Sequence, residues 1–485
     1  MRNLSVFILC LLLAACAVAP LRPPADPNAA RCLALYETVD RAVAEQGYSP
    51  SSPARIAGFP YLRVNRFLAG YRDQTLNPAQ RAAWLTRLAE LDQVARQIEL
   101  ASLPSPVLTE LTARQTVATT LPDALQNCSQ PLQTADLADP ERFAALRERA
   151  GVPPDYLTWR QILGLYPLSS LPISFGVARW HRETYQTFAQ PLEALPVQSR
   201  LQRFRPPEEA DQSVATDKLP RDALGIPIPD ARQLDALFAA YAPVWEIDVT
   251  GDYDLPGVPY WQADGKPAVN METPVVYRYP SSTRWRNQAL LQLNYLIWFS
   301  ERPASGPLDI LAGPLDGVIW RVTLNPDGSP LLYDSIHTCG CYQQFFPSSA
   351  LRLRPTALDL PEPPLVPQTA PPLSAGKRLV IRLGSGSHYI QRLYADIPTG
   401  NRYRWEDYRA LYAVSYGGQK RSLFGPDGLV AGTERSERWL LWPMGVPSPG
   451  AMRERGRHAT AFIGRRHFDD PDLLDKLFEP TEITR

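Results

Sequence analysis

After Asn77, apolar side chains recur at Trp84, Leu88, Leu91, Ala95 and Ile98, in steps of four and three. That spacing lines one side of an α-helix and predicts an amphipathic helix there. Leu35, Val39 and Val43 mark a second stripe, with Gly47 as its stop, and residues 142–149 (RFAALRER) predict a shorter one ending near Gly151. Each begins with the same signal. Asp26-Pro27, Asn77-Pro78 and Asp139-Pro140 place a capping side chain before a proline. The cap oxygen satisfies an open N–H of the first turn, where proline's missing N–H costs nothing. Asp470-Pro471 repeats the signal and predicts a last short helix. Residues 30–200 therefore read as a helical domain.

A polar, proline-rich connector follows at 201–229, then a helix from Asp230 to Tyr241. Beyond it the period changes. LLQLNYLIWF (Leu290–Phe299) is almost wholly apolar and predicts a central strand buried on both faces. VIWRVTL (Val318–Leu324) and LLYDSIH (Leu331–His337) flank Asn325-Pro326-Asp327-Gly328, which predicts a hairpin. Ala459–Arg466 and RLVIRL (Arg378–Leu383) predict further strands, with a proline-laden loop at 355–372 and a tight turn at Gly384–Ser387. The fold class expected is α+β: a helical N-terminal domain, then a β-rich, mainly antiparallel C-terminal domain over 230–485.

The chain start changes the picture of where such a protein resides. Arg2 precedes an apolar run, Val6–Ala15, that falls short of the roughly 20 residues needed to span a bilayer. It reads as an export signal. The run ends in Leu13-Ala14-Ala15-Cys16, which resembles the lipobox of bacterial lipoproteins. The resemblance covers the export segment, residues 1–15, and nothing more. It implies cleavage before Cys16, lipid on that cysteine, and attachment to the membrane through it. Ala17, standing where aspartate would mark retention in the inner membrane, implies the periplasmic face of the outer membrane. A plain signal peptide cut after an alanine is the other reading. Residues 16–29, with Pro20, Pro23, Pro24 and Pro27, read as a stiff tether.

Composition narrows the partners. Lys+Arg and Asp+Glu both number 50, a balance that argues against nucleic acid. Apolar residues make up 45%, enough for a large core. Of six cysteines, Cys10 leaves with the signal and Cys16 takes lipid. In an oxidising compartment Cys32 and Cys128 are expected to pair.

The last two sit in His337-Thr338-Cys339-Gly340-Cys341. Strand alternation puts Ser335, His337 and Cys339 on one face, and Gly340 permits a bend. Four readings stay open. The donors suit zinc, with a fourth ligand from His388, His458, His467 or a carboxylate. Cys339 and Cys341 could instead form a strained disulfide. Either thiol could be a nucleophile with His337 or His388 as base. The group could also be core packing. His337, Cys339, Cys341 and His388 are thus the candidate redox or metal residues, and zinc is the one cofactor they suggest. Arg465-Arg466-His467 and Trp439/Trp442 are weaker candidates, for an anion and a sugar. No family of known activity is recognised in the globular part. An envelope binding or assembly protein, with a protein or envelope polymer as partner, predicts no deep polar pocket around these residues. An envelope enzyme predicts that they meet in a concave site with perturbed titration. The first is favoured, because neither a complete metal set nor a complete triad can be written.

Overall fold

The computed structural model describes residues 21–113, 120–207 and 219–481. The export signal, Cys10, Cys16 and residues 208–218 of the connector lie outside them. The fold is mixed α+β, helical at the N-terminal end and rich in antiparallel sheet beyond. By compactness the chain divides between Val152 and Pro153, with Tyr48–Ser52 belonging to the second unit.

The first unit holds helices α1 (Pro27–Gln46), α2 (Pro78–Ser102), α3 (Leu121–Ala138) and α4 (Pro140–Arg149), with a hairpin of β1 (Ala54–Ile56) and β2 (Phe59–Val64). The caps are as the sequence predicts. Asp26 accepts from the Ala29 N–H at 2.9 Å, Asp139 caps α4, and Asn77 forms a reciprocal box with Gln80. A disulfide joins Cys32 in α1 to Cys128 in α3. In the chain-entropy view, closing so long a loop stabilises by about 4–5 kcal/mol. The stripe residues Trp84, Leu88 and Ala95 are buried. So, less expectedly, are Asp92, Arg96 and Glu99 on the same helix. Asp92 and Glu99 pair both with Arg96 and with Arg63 of β2, whose Nε lies 3.2 Å from Asp92. A buried ion group of this kind ties hairpin to helix and is costly to break on one side only.

The second unit contains α5 (Tyr166–Ala189) and α6 (Ala231–Tyr241). Its strands include β3 (Arg200–Arg205), β4 (Val244–Val249), β5 (Val275–Trp285), β6 (Gln288–Arg302), β7 (Gly313–Leu324), β8 (Pro330–His337) and β9 (Gln344–Pro347). Further along come β10 (Arg378–Leu383), β11 (Ile390–Asp396), β12 (Asn401–Arg402) and β13 (Arg404–Asp407). One sheet runs β9-β8-β7-β6-β5-β13, and a second runs β11-β10-β4-β3-β12. The predicted central strand is β6, paired antiparallel to β5 and β7. Alternate residues Leu293, Tyr295, Ile297 and Phe299 enter one apolar core with Val318, Trp320 and Val322 of β7. Trp245 and Ile247 of β4, and Leu379 and Ile381 of β10, enter the same core, so the two sheets pack face to face. The opposite face of β6 is buried too, and sets Gln292 and Asn294 among Leu290, Leu296 and Trp298. Gln292 donates to Thr323 Oγ1 (3.0 Å), and Asn294 to Ser281 Oγ (2.9 Å). Next to them Arg321 of β7 pairs with Asp334 of β8 (2.5 Å).

Two local expectations differ. Ala459–Arg466 is no strand. Its ends fold back, Thr460 N–H donating to Arg466 O at 2.8 Å, around Gly464 at φ 90°. The last helix is Leu473–Leu477, preceded by Asp472, whose side chain makes no capping hydrogen bond. Asp470 instead accepts from the His467 N–H at 2.9 Å, which holds that loop closed. Among the described residues no helix is long and apolar enough to cross a membrane.

Candidate functional site

Strand register brings distant acids and histidines to one end of the packed sheets. Asp316 opposes Phe299 across β7 and β6, and His337 opposes Val318 across β8 and β7. Asp316 and His337 are therefore diagonal neighbours on one face. His388 follows β10, and Asp254 follows β4, its parallel neighbour. All four side chains are buried.

They form a chain of contacts. His337 Nδ1 is 3.2 Å from Asp316 Oδ1, and His388 Nδ1 is 2.8 Å from Asp316 Oδ2. His388 Nε2 lies 3.4 Å from Asp254 Oδ1, close enough for an ion pair but poorly aligned for a hydrogen bond. Asp254 also accepts from Ser385 Oγ (2.8 Å), Gly386 N–H (2.7 Å) and Thr250 N–H (2.8 Å). Gly317 N–H donates to Asp316 at 2.9 Å, and Arg435 stands 3.7 Å away. Phe299 stacks flat on the His388 ring, centroids 3.8 Å apart.

The titrations follow from this wiring. Burial alone would raise the Asp316 carboxyl, but His337, His388 and Arg435 outweigh it and hold it well below the usual range. Burial works against a charged His388 as well, yet a carboxylate on each nitrogen raises it above an ordinary histidine. His337 has one carboxylate and faces Arg302 and His388, so burial prevails and lowers it. His388 is therefore the more readily protonated of the two and His337 the less. Backbone strain collects here too. Leu315, Tyr342 and His388 adopt positive φ (52°, 61° and 52°), a region that non-glycine residues enter at a cost of about 1–3 kcal/mol.

Above this cluster lies a cleft of about 950 Å³. Tyr342 and Tyr389 line it and pack their edges on His337. Arg302 spans both rings and donates from Nη2 to Tyr389 OH at 3.2 Å. Its Nη1 is buried without a hydrogen-bond partner. Glu437 also lines the cleft, and burial pushes its carboxyl up to about 7 against the pull of Arg435, Arg302 and Arg453. Pro172, Ile173 and Val177 of α5, with Leu441 and Phe462, make an apolar wall. His181 on α5 is depressed to about 4, by burial and then by Arg466. Arg466 is committed to Glu362 and to Gln343 Oε1 (3.0 Å).

The sequence candidates separate. His337 and His388 do converge, through Asp316. Cys339 and Cys341 are buried free thiols in contact, the Cys341 N–H reaching Cys339 Sγ at 3.4 Å. Hydrogen bonding to Cys339 and burial push the Cys341 thiol up. Neither sulfur has a histidine nitrogen within hydrogen-bond reach among the described residues; His458 Nε2 instead meets Thr338 O at 3.2 Å. Ser385 bonds the acid, not the imidazole, so no serine triad forms. Among the described residues no group of three or more His, Cys, Asp or Glu is arranged to hold a metal ion, which leaves zinc without support. Of the weaker candidates, Trp439 is 72% exposed and Trp442 packs edge-on against Trp159 at 5.8 Å. Sequence reasoning missed Asp316, Asp254, Arg302 and Glu437. Only Asp316 carried a signal, an acid interrupting an apolar strand. Compared with known proteins, the chain matches no family model, no curated protein and no solved structure.

Proposed function

We propose that this is an envelope binding protein whose cleft takes an amphipathic molecule bearing an anionic group. The observation that carries the reading is Arg302, a buried guanidinium that lines the cleft and has an unpartnered Nη1. A buried donor left unpaired costs about 1–3 kcal/mol, and an anion would recover that through charge-assisted hydrogen bonds. The apolar wall on α5 fits the rest of such a molecule, and the cleft's volume is that of a small-ligand site. The convergence and shifted titration of His337 and His388 meet part of the enzyme expectation. Catalysis still ranks second because neither histidine nor either thiol lines the cleft, and Ser385, Cys339 and Cys341 are each committed elsewhere. The His–Asp–His–Asp cluster then serves to fix Tyr342 and Tyr389, on which Arg302 rests. The lipobox supplies the address, with acyl chains at Cys16 holding the protein to the outer membrane.

The test is a titration with a dodecanoate probe. Wild type binds it saturably, and Arg302→Met weakens it by about tenfold or more, the equivalent of one charged hydrogen bond. Equal binding by both proteins would sink the assignment of Arg302.

A further inference from the structure

The cleft uses one side of α5; another side of its N-terminal half is uncovered among the described residues. Leu165, Leu168, Leu171 and Phe175, at steps of three, three and four, are between 56% and 75% exposed. Ile162 and Leu163 just before them are exposed as well. Single exposed leucines are ordinary, but a contiguous stripe of large apolar side chains marks a surface that something covers.

The charge pattern says what. No charged side chain occurs between Arg160 and Arg179. The exposed stripe then continues at helical spacing into Arg182 and into Arg179, which pairs with Glu183 at 3.2 Å at the rim of the cleft. Trp159 and Trp439 are exposed beside it, in segments that pack against one turn, Trp442–Met444. Amphipathic tryptophan and arginine around an uncharged apolar stretch suit the boundary of an anionic lipid bilayer. An apolar stripe fits a protein groove as well as a bilayer; the arginines and tryptophans at its ends favour the bilayer. We infer that the N-terminal half of α5 lies in the interface of an anionic membrane, with Arg179 and Arg182 at the headgroups. This stands apart from the cleft reading. If both hold, the cleft opens beside the bilayer and draws its amphiphile from there.

The test places an environment-sensitive fluorophore on the full chain at Phe175→Cys or, as control, at Leu358→Cys. Leu358 is also exposed and apolar, but lies outside the stripe. Among the described residues the free thiols, Cys339 and Cys341, are buried and do not compete for label. Vesicles of phosphatidylglycerol in phosphatidylcholine shift the position-175 probe to the blue and expose it to quenching by brominated acyl chains. The control probe does not respond, and phosphatidylcholine alone gives a response weaker by about tenfold, the scale expected from one to two net positive charges at about 1 kcal/mol each. Leu168→Glu with the same probe abolishes the shift. A silent probe at 175 on protein that has sedimented with the vesicles overturns the inference. So does a blue shift that grows with protein concentration in the absence of lipid, which would assign the stripe to a second copy of the chain.

Discussion

Asp316→Asn is the sharpest single perturbation of the buried cluster. The shape is unchanged, but the charge that two imidazoles and Arg435 share is gone. In wild type the carboxylate accepts from His337 (3.2 Å), His388 (2.8 Å) and Gly317 N–H (2.9 Å). An asparagine offers one acceptor and turns its NH2 toward a ring nitrogen that donates. Removing one partner from a fully buried ion group costs about 3–5 kcal/mol. Against the 5–15 kcal/mol typical of a folded domain, that is a large loss. Urea unfolding followed by tryptophan fluorescence reads it, since every tryptophan except Trp84 lies in the second unit. The pH dependence gives a second check. Asp316 titrates lower folded than unfolded, so its contribution is present above about pH 4 and lost as pH falls through the folded value. The variant therefore trails wild type fully at neutral pH and closes the gap in acid. A loss under about 1 kcal/mol, within the range of an ordinary surface change, would refute the cluster's role.

His388 is raised, so its stabilising term is complete below about pH 6.5 and fades as pH rises through the folded value; His388→Gln costs more in mild acid than in mild base. His337 is lowered and behaves oppositely, so His337→Gln costs more at neutral pH than in acid, and parallel urea series separate the two signs. Glu437 gains its charge around pH 7, so dodecanoate binding weakens as pH rises through that value, and Glu437→Gln flattens the profile. A thiol assay on the native protein finds no reactive cysteine, and denaturant without reductant exposes two; none in denaturant would mean a Cys339–Cys341 disulfide. Cys16→Ser leaves only a weak, salt-sensitive attachment to membranes, and survival of salt-resistant attachment would contradict the lipid anchor.

The helix starts were legible because capping is local: Asp26, Asn77 and Asp139 each act on an N–H within three residues. The β6 strand and the hairpin after it were legible from apolar density and a turn. The site was not, because it is assembled by register. Asp316 meets His337 across 21 residues and His388 across 72, and nothing in the spacing announces either. The cysteine motif drew attention by composition, yet its sulfurs face inward while Tyr342, Tyr389 and Arg302 hold the cleft. Ala459–Arg466 misled because its alternation mimics a strand, where Gly464 and Asp470 close it into a loop.

The most direct measurement compares dodecanoate with dodecanol, equal in chain length and differing in charge, by titration calorimetry on the wild-type protein at mildly acid pH. The account predicts saturable binding of the carboxylate, at least about tenfold tighter than the alcohol, as a buried guanidinium requires. Equal affinity for the two, or no saturable binding of either, would contradict it.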